Sequence, residues 1–372
     1  MLSNKSAISP AEGRKVRMAD NRKDSYAVSM NINRRHFIGS AGTLAVSLAA
    51  HANAAPIRRA SVARVIIDND FAGDPDGLFQ LAHHLLCPSV KIPLIIGSHL
   101  PVRFGGPKSA SEGSFKAREL LKLMRLDNLH APIAGSELPL ASRAAWKPVS
   151  ATAAIVREAM RDTGEPLFYA AGAGLTDLAL AWLAEPRIGR RIKLIWIGGR
   201  EHPGLAYPPP GPDEAEFNFT IDPVAAQVIF NESDIEIWQV PRDAYRQFLF
   251  SNAELEDLAE AGPLGRYLKS EMDGLAVKLA SIPGFPPLPL TEAFVMGDSP
   301  LVTLTALVPP IQPDPSSSRY KLIPTPRLAD DGTYQAAPNG RPMRVYTWID
   351  SVLTLRDMLS RFRRWDRLSH GG

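Results

Sequence analysis

The sequence predicts an α/β protein: a mostly parallel, Rossmann-like central sheet flanked by helices, folded as a single domain. Three observations predict it. Short β-branched or apolar runs alternate with helical patterns from Arg64 to Pro241, the rhythm of repeated strand–helix units. The runs lack the strict polar alternation of a half-solvated strand, so both faces of each strand are expected to be covered. No stretch between Ala55 and about Leu307 has the composition of a linker, and the proline-rich segments "YPPPGPDE", "IPGFPPLPL" and "PPIQPDPSSS" read as surface loops.

The first element precedes the fold. Residues 30–54, "MNINRRHFIGSAGTLAVSLAAHANA", place a twin arginine (Arg34, Arg35) before an uncharged apolar stretch from Phe37 to Ala50 and a small-residue site ending at Ala54. That order is an export signal of the twin-arginine type, cleaved near Ala54. The apolar stretch is too short to anchor the chain in a bilayer. Residues 1–29 are polar and patternless, so Met30 is the expected true start, with residues 1–54 as extension and signal and 55–372 as the folded domain. The expected location is the periplasm. Removing residues 1–54 leaves 34 basic and 36 acidic side chains, a formal charge of −2 instead of +3. The apparent basicity belongs to the targeting segment, and nothing in the remainder calls for a nucleic-acid or anionic-membrane partner.

The elements of the domain follow in order. "RVIID" is the first strand, and "GLFQLAHHLL" a helix starting near Gly77 in which His83 and His84 are expected as one packed and one solvated ring. Cys87, the single cysteine, ends this apolar context and is expected to be a buried, inert thiol. "VKIPLIIGS", "PLFYAAG", "KLIWIGG" and "IEIWQVP" are further strands, separated by the helical patterns "SFKARELLKLMRL", "LTDLALAWLAE" and "DPVAAQVIFN". "RYKLIPTPRL" and "MRVYTWIDSVLTLRDMLSRF" supply a closing strand pair and a last helix.

The loop after the first strand carries the chemistry. Asp68, Asp70, Asp74 and Asp76 fall within nine positions at the carboxyl edge of the sheet, where ligands of such sheets gather. Carboxylates crowded there repel by several kcal/mol at low effective dielectric unless protons or a cation intervene. A hard divalent ion, Ca²⁺ or Mg²⁺, prefers such all-oxygen ligation. An EF-hand loop starting at Asp68 fails, because Ala72 stands at its fifth position and Phe79 where the bidentate glutamate belongs. A phosphotransferase with Asp68 as nucleophile and Asp70 as acid needs later lysine and paired-aspartate motifs that have no clear place in this chain.

With these residues in view, the chain resembles the inosine-uridine preferring nucleoside hydrolases. The resemblance rests on five motifs in order: "VIIDNDFAGDPDGLFQLA", "GAGLTDLALA" (172–181), "IKLIWIGG" (192–199), "AEFNFTIDPVAAQVIF" (215–230) and "GDSPLVTLTAL" (297–307). It implies a Ca²⁺ ion holding the attacking water and the ribose hydroxyls. Asp70 would bind the metal and take the proton from water. The backbone carbonyl of Thr176, the carboxylate of Asp298 and Asp76 would complete the ligand set, with Asp68 behind them. Asp74 would meet the sugar, and Glu216 and Asn218 would hold its far hydroxyls, helping to distort the ring toward an oxocarbenium-like transition state. The substrate implied is a ribonucleoside or ribose-like molecule, and relatives commonly form homo-oligomers.

The chain also departs from that pattern. In the most natural register the family's second loop aspartate falls on Gly77, and the histidine that helps the base depart falls on Gly297. The asparagine after the second strand has no counterpart in "GSHLPVRFGG" unless His99 serves. His202, Tyr207 and Tyr245 are the candidates on neighbouring loops for the leaving-group acid. These losses keep open a second class, a weakened relative that binds a ribose-like ligand with metal help and does not turn it over.

Overall fold

The computed structural model describes residues 61–286, 291–309 and 317–370; the signal segment, Met30 and the cleavage site at Ala54 lie outside them. These described residues belong to one compact unit. Its strands among the described residues are β1 (Ala63–Asn69), β2 (Val90–Gly97), β3 (Ile133–Ala134), β4 (Leu167–Ala171), β5 (Ile192–Ile197), β6 (Glu236–Val240), β7 (Leu249–Ser251), β8 (Ala293–Val295), β9 (Arg319–Pro324), β10 (Arg327–Leu328), β11 (Tyr334–Gln335) and β12 (Pro342–Trp348). The central sheet runs β3-β2-β1-β4-β5-β6-β12-β9. Every pairing in it is parallel except β12 with β9. The expected α/β architecture and closing strand pair are therefore present, and helix Ser351–His370 is the last described element.

Why the strand runs lack polar alternation is visible in β1. All seven of its residues are buried. Successive side chains point to opposite faces, so Val65 and Ile67 join Leu78 and Phe79 in one core, while Ile66 joins Tyr169, Ala171 and Leu178 in the other. β5 divides in the same way, with Ile195 and Ile197 on the first face and Leu194 and Trp196 on the second. A strand sandwiched between two helical layers has no solvent side on which a polar residue would gain anything.

The order of the strands places the site. From β1 the chain builds outward through β2 and β3, then returns to lay β4 along the other edge of β1. The connections leaving β1 and β4 thus diverge, opening the crevice at the carboxyl ends where such folds hold ligands. At the end of β2, Gly97 allows helix Ser109–Leu123 to close in, since a Cβ there would lie 2.7 Å from the carbonyl oxygen of Ala110.

Helix Asp76–Leu85 differs from expectation at its carboxyl end. His83 and His84 are both buried, because two elements cover that end and not one. Asp357 of the last helix meets His83 Nε2 at 2.9 Å, and Thr305 of helix Pro300–Thr305 meets His84 Nε2 at 2.7 Å. Burial lowers both imidazole pKa values, that of His84 to about 3, with the neighbouring His83 as a second cause. Cys87 is a buried free thiol, as expected.

Candidate functional site: an acidic cavity at the strand ends

β1 ends at Asn69, and the chain turns at once. Asp70 begins the turn, and Gly73 closes it tightly: a Cβ at 73 would stand 3.0 Å from the Asp70 carbonyl oxygen and 3.1 Å from its carboxylate. The helix then starts at Asp76, whose negative charge sits favourably at the positive end of the helix. Asn69 is the clamp of this corner. Its Oδ1 accepts the Asp70 N–H at 2.8 Å, and its Nδ2 donates to Asp298 Oδ2 at 2.8 Å and to Gln80 Oε1 at 3.3 Å. From across the crevice, the Asp298 N–H donates to Asp76 Oδ2 at 3.0 Å. Asp70, Asp76 and Asp298, far apart in sequence, therefore share one floor.

That floor belongs to a cavity of about 470 Å³ lined also by Asp74, Gly172, Glu216, Asn218, Tyr245, Lys278 and Gly297. Asp70, Asp76 and Asp298 are at least nine-tenths buried, whereas Asp74 is exposed at the rim. Burial is the main cause that pushes all three carboxyl pKa values up, Asp298 to about 8 and Asp70 and Asp76 well above the ordinary range. The charges of Asp74 and Asp298 add to it, and Lys278 offsets part of the effect at Asp70. The donor set is all oxygen and its negative charge exceeds the local positive charge, which fits a hard divalent cation. The oxygens are not gathered about a point: the group of three ligand-type side chains found within 4.8 Å among the described residues is His83, Cys87 and Asp357. That group does not suit a cation, because Arg361 is bonded to the same Asp357 oxygen and burial drives the Cys87 thiol up to about 12.

Several expectations are corrected. Thr176 does not face the cavity. It is the first residue of helix Thr176–Ala184, so its carbonyl points down the helix axis, and its hydroxyl donates to Asp222 Oδ2 at 2.7 Å. The backbone that lines the cavity after β4 is Gly172. A Cβ at position 77 would meet the Asn69 side chain at 3.0 Å, the same side chain that bonds Asp298, so position 77 faces the floor without a carboxylate of its own, while Asp76 accepts from the Asp298 N–H. Asp68 lies below the floor, its carboxylate bonded by Ser98 Oγ and Tyr169 OH and raised to about 6 by burial. Glu216 lines the cavity, yet four protein donors fill its carboxylate. The N–H groups of Gly199 and Phe219 reach Oε2 at 2.7 and 3.0 Å, and the Asn218 N–H and Tyr245 hydroxyl reach Oε1 at 3.1 and 3.0 Å. Its first duty is to cap helix Phe217–Ile221. Asn218 Nδ2 donates to the carbonyls of Gly172 and Ile197 at 3.0 and 2.8 Å, tying the ends of β4 and β5 together.

Of the remaining candidates, Tyr245 alone lines the cavity among the described residues. His99 turns away to Thr176 Oγ1 at 2.9 Å, His202 is bonded to Gln239 and stacked on Tyr334 at 4.0 Å, and Tyr207 is 93% exposed. Sequence reasoning missed Asn69 and Gly172. The position of Asn69 between two of the aspartates was a signal that could have found it; for Gly172 the signal was its place directly after a buried strand.

The model of the family described as inosine-uridine preferring nucleoside hydrolase matches residues 65–306, a span that contains every residue of the floor. The inosine-uridine preferring nucleoside hydrolase of Leishmania major is 41% identical over 90 residues, 24% of this chain and 27% of that protein. That of Crithidia fasciculata is 47% identical over 68 residues, 18% of this chain and 19% of its own length. The chain thus matches about a quarter and a fifth of these curated relatives. The solved structure of a purine-preferring ribonucleoside hydrolase from Gardnerella vaginalis superposes with a TM-score of 0.61 at 17% identity, over 82% of this chain and 99% of that one, a likeness of fold.

Proposed function

Because the chain belongs to the inosine-uridine preferring nucleoside hydrolase family, we propose that it hydrolyses the N-glycosidic bond of ribonucleosides or a related glycosyl bond, with Ca²⁺ held by Asp70, Asp76 and Asp298. The observation that carries this is the buried floor of three carboxylates with too few positive partners. Bound there, the ion would lower the pKa of a water molecule and orient the sugar hydroxyls. Asp70, at the end of β1, takes the proton as the water oxygen attacks C1′. The Gly172 carbonyl already accepts from Asn218 Nδ2 and would offer the ion its second lone pair, while Asp74 at the rim and the Asn218 side-chain oxygen would accept from sugar hydroxyls. Glu216, filled by its four donors, holds the Asn218 loop and Tyr245 in place.

The floor carboxyls are themselves buried, so they would act at low effective dielectric on the charge that develops on a sugar ring placed over them. Export by the twin-arginine route to the periplasm and a homo-oligomeric assembly complete the proposal. They rest on Arg34, Arg35 and the small-residue site at Ala54 and on the family respectively. Calorimetric Ca²⁺ titration, with inosine and uridine added afterwards, tests the chemistry. Micromolar binding lost in Asp70→Asn, followed by heat of hydrolysis only in the native protein, supports it; absence of Ca²⁺ binding would sink it. The filled carboxylate of Glu216 favours a second reading, a metal-assisted ribose-binding protein, which predicts ligand binding without turnover.

A further inference from the structure

Two amides lie beneath the acidic floor. Asn69 and Gln80 are both fully buried, and neither lines the cavity among the described residues. Chemistry fixes the direction of each bond that Asn69 makes. A backbone N–H can only donate, so the Asn69 atom 2.8 Å from the Asp70 N–H is its oxygen. The amino group therefore faces the other way, with one N–H on Asp298 Oδ2 at 2.8 Å and the second on Gln80 Oε1 at 3.3 Å. Gln80 in turn sets its own amino group against His84 Nδ1. Direction passes outward from the turn after β1, and His84 stands at the receiving end.

Room for the Asn69 amide is built into the chain. A Cβ added at Gly77 would stand 3.0 Å from Asn69 Nδ2, and one added at Gly172 would collide with the same atom. The amide thus occupies a slot between the first turn of helix Asp76–Leu85 and the end of β4. At position 77, where the resemblance asked for an aspartate, the space into which a side chain would grow is taken by Asn69. Asp76, Gln80 and His84 follow at four-residue spacing on one stripe of the helix. The stripe that gives the floor a carboxylate also gives Asn69 its acceptor. Of the three partners of the Asn69 side chain, Asp70 and Asp298 line the cavity and Gln80 does not, so Gln80 is the fixed point outside it.

We propose that Asn69 and Gln80 are positioning residues for the cation: Asn69 holds the Asp298 carboxylate and the Asp70 backbone in register, and Gln80 holds Asn69. The inference rests on the Ca²⁺-dependent function proposed above and adds two residues to it that touch neither ion nor substrate. Without Gln80, one Nδ2 hydrogen of Asn69 is left buried and unpaired. The amide can satisfy it only by turning out of the plane that joins Asp70 to Asp298, and the two carboxylates lose their common alignment. Groups that orient metal ligands in this way are worth roughly ten- to a hundredfold in metal affinity.

The test is calorimetric Ca²⁺ titration of the purified parent, Gln80→Met, Asn69→Ala and the double variant, each first melted without metal to establish that it is folded. Gln80→Met keeps the length of the side chain and removes the acceptor. Each single substitution is expected to raise the Ca²⁺ Kd about tenfold or more. The double variant should stay within threefold of Asn69→Ala, because Gln80 acts through Asn69. A rise below threefold in Gln80→Met would overturn the proposal while leaving the hydrolase function standing. Losses that multiply in the double variant would overturn it too, since Gln80 would then act by a route of its own. Should Gln80→Met fail to fold, Gln80→Glu keeps an oxygen facing Asn69: a Kd no more than threefold above the parent is expected, and a tenfold rise would overturn the proposal. Absence of Ca²⁺ binding by the parent would remove the proposed function itself, and this inference with it.

Discussion

Helix Asp76–Leu85 carries a cluster of reactive side-chain types at each end, and the two clusters differ in how they are balanced. At its amino end, Asp70, Asp76 and Asp298 are buried side by side with Lys278 as a partial offset. At its carboxyl end, His84 has both ring nitrogens engaged, Nδ1 with Gln80 and Nε2 with Thr305, whose hydroxyl passes on to the Leu301 carbonyl at 2.7 Å. His83 shares Asp357 with Arg361, although its Nδ1 has no hydrogen-bond partner. The histidines are neutral members of a packed core, whereas the aspartates keep unmet demand for positive charge. Residue type alone would rank the two ends equally as metal sites; charge balance separates them.

The sharpest way to break this contrast is Asp70→Ala. Activity on the best-cleaved riboside should fall by at least about a thousandfold, about 4 kcal/mol of transition-state stabilisation, while the metal-free protein melts no lower than the parent because a repulsive buried charge has gone. Kinetics and calorimetry read the two halves, and retained activity would return the acidic floor to the status of a structural loop.

His84→Ala should behave in the opposite sense. It empties a buried ring site and leaves Gln80 and Thr305 without their partner, so urea unfolding should show a loss of about 2–4 kcal/mol. Activity per folded molecule should hold, and a specific loss of kcat would tie the far end of the helix to the chemistry.

The pH dependence of stability sharpens the same comparison. His84 is at about 3 in the fold and near 6.5 unfolded, so the unfolded chain binds the extra proton between those values. Its stabilising contribution is complete above pH 6.5 and declines as pH falls toward 3, by at most about 1.4 kcal/mol per pH unit. Asp298 is raised to about 8, so in metal-free protein its contribution declines as pH rises from about 4 to 8, with the same limiting slope. Saturating Ca²⁺ should remove the alkaline decline and leave the acidic one, as thermal melts across pH with and without chelator would show. The smallest effect belongs to Cys87→Ala, expected to cost under about 1.5 kcal/mol with activity unchanged.

Much of this was legible in the chain. The strands, the covering helices and the closing strand pair follow from local apolar patterns, and the aspartates crowded at the end of the first strand and just after it marked the mouth. What misled was register. Counting along "GAGLTD" assigns a carbonyl to Thr176, whereas Gly172 is the residue that lines the cavity, because a linear motif does not say which residue of a turn faces inward. Glu216 was visible as a candidate, but not that four donors already fill it, since two of those donors, Gly199 N–H and Tyr245 OH, come from other loops.

The sequence by itself determined the layered α/β architecture and the acidic crowding at its carboxyl edge, since strand and helix periodicity and the burial of both strand faces act over a few residues. Only the tertiary structure decided which carboxylates converge and which side chains are already committed. Asn69 bridging Asp70 to Asp298, Asp76 accepting from the Asp298 N–H, and Tyr245 turned onto Glu216 join positions up to 229 residues apart. Such contacts are set by how whole elements pack, and no local pattern carries that information.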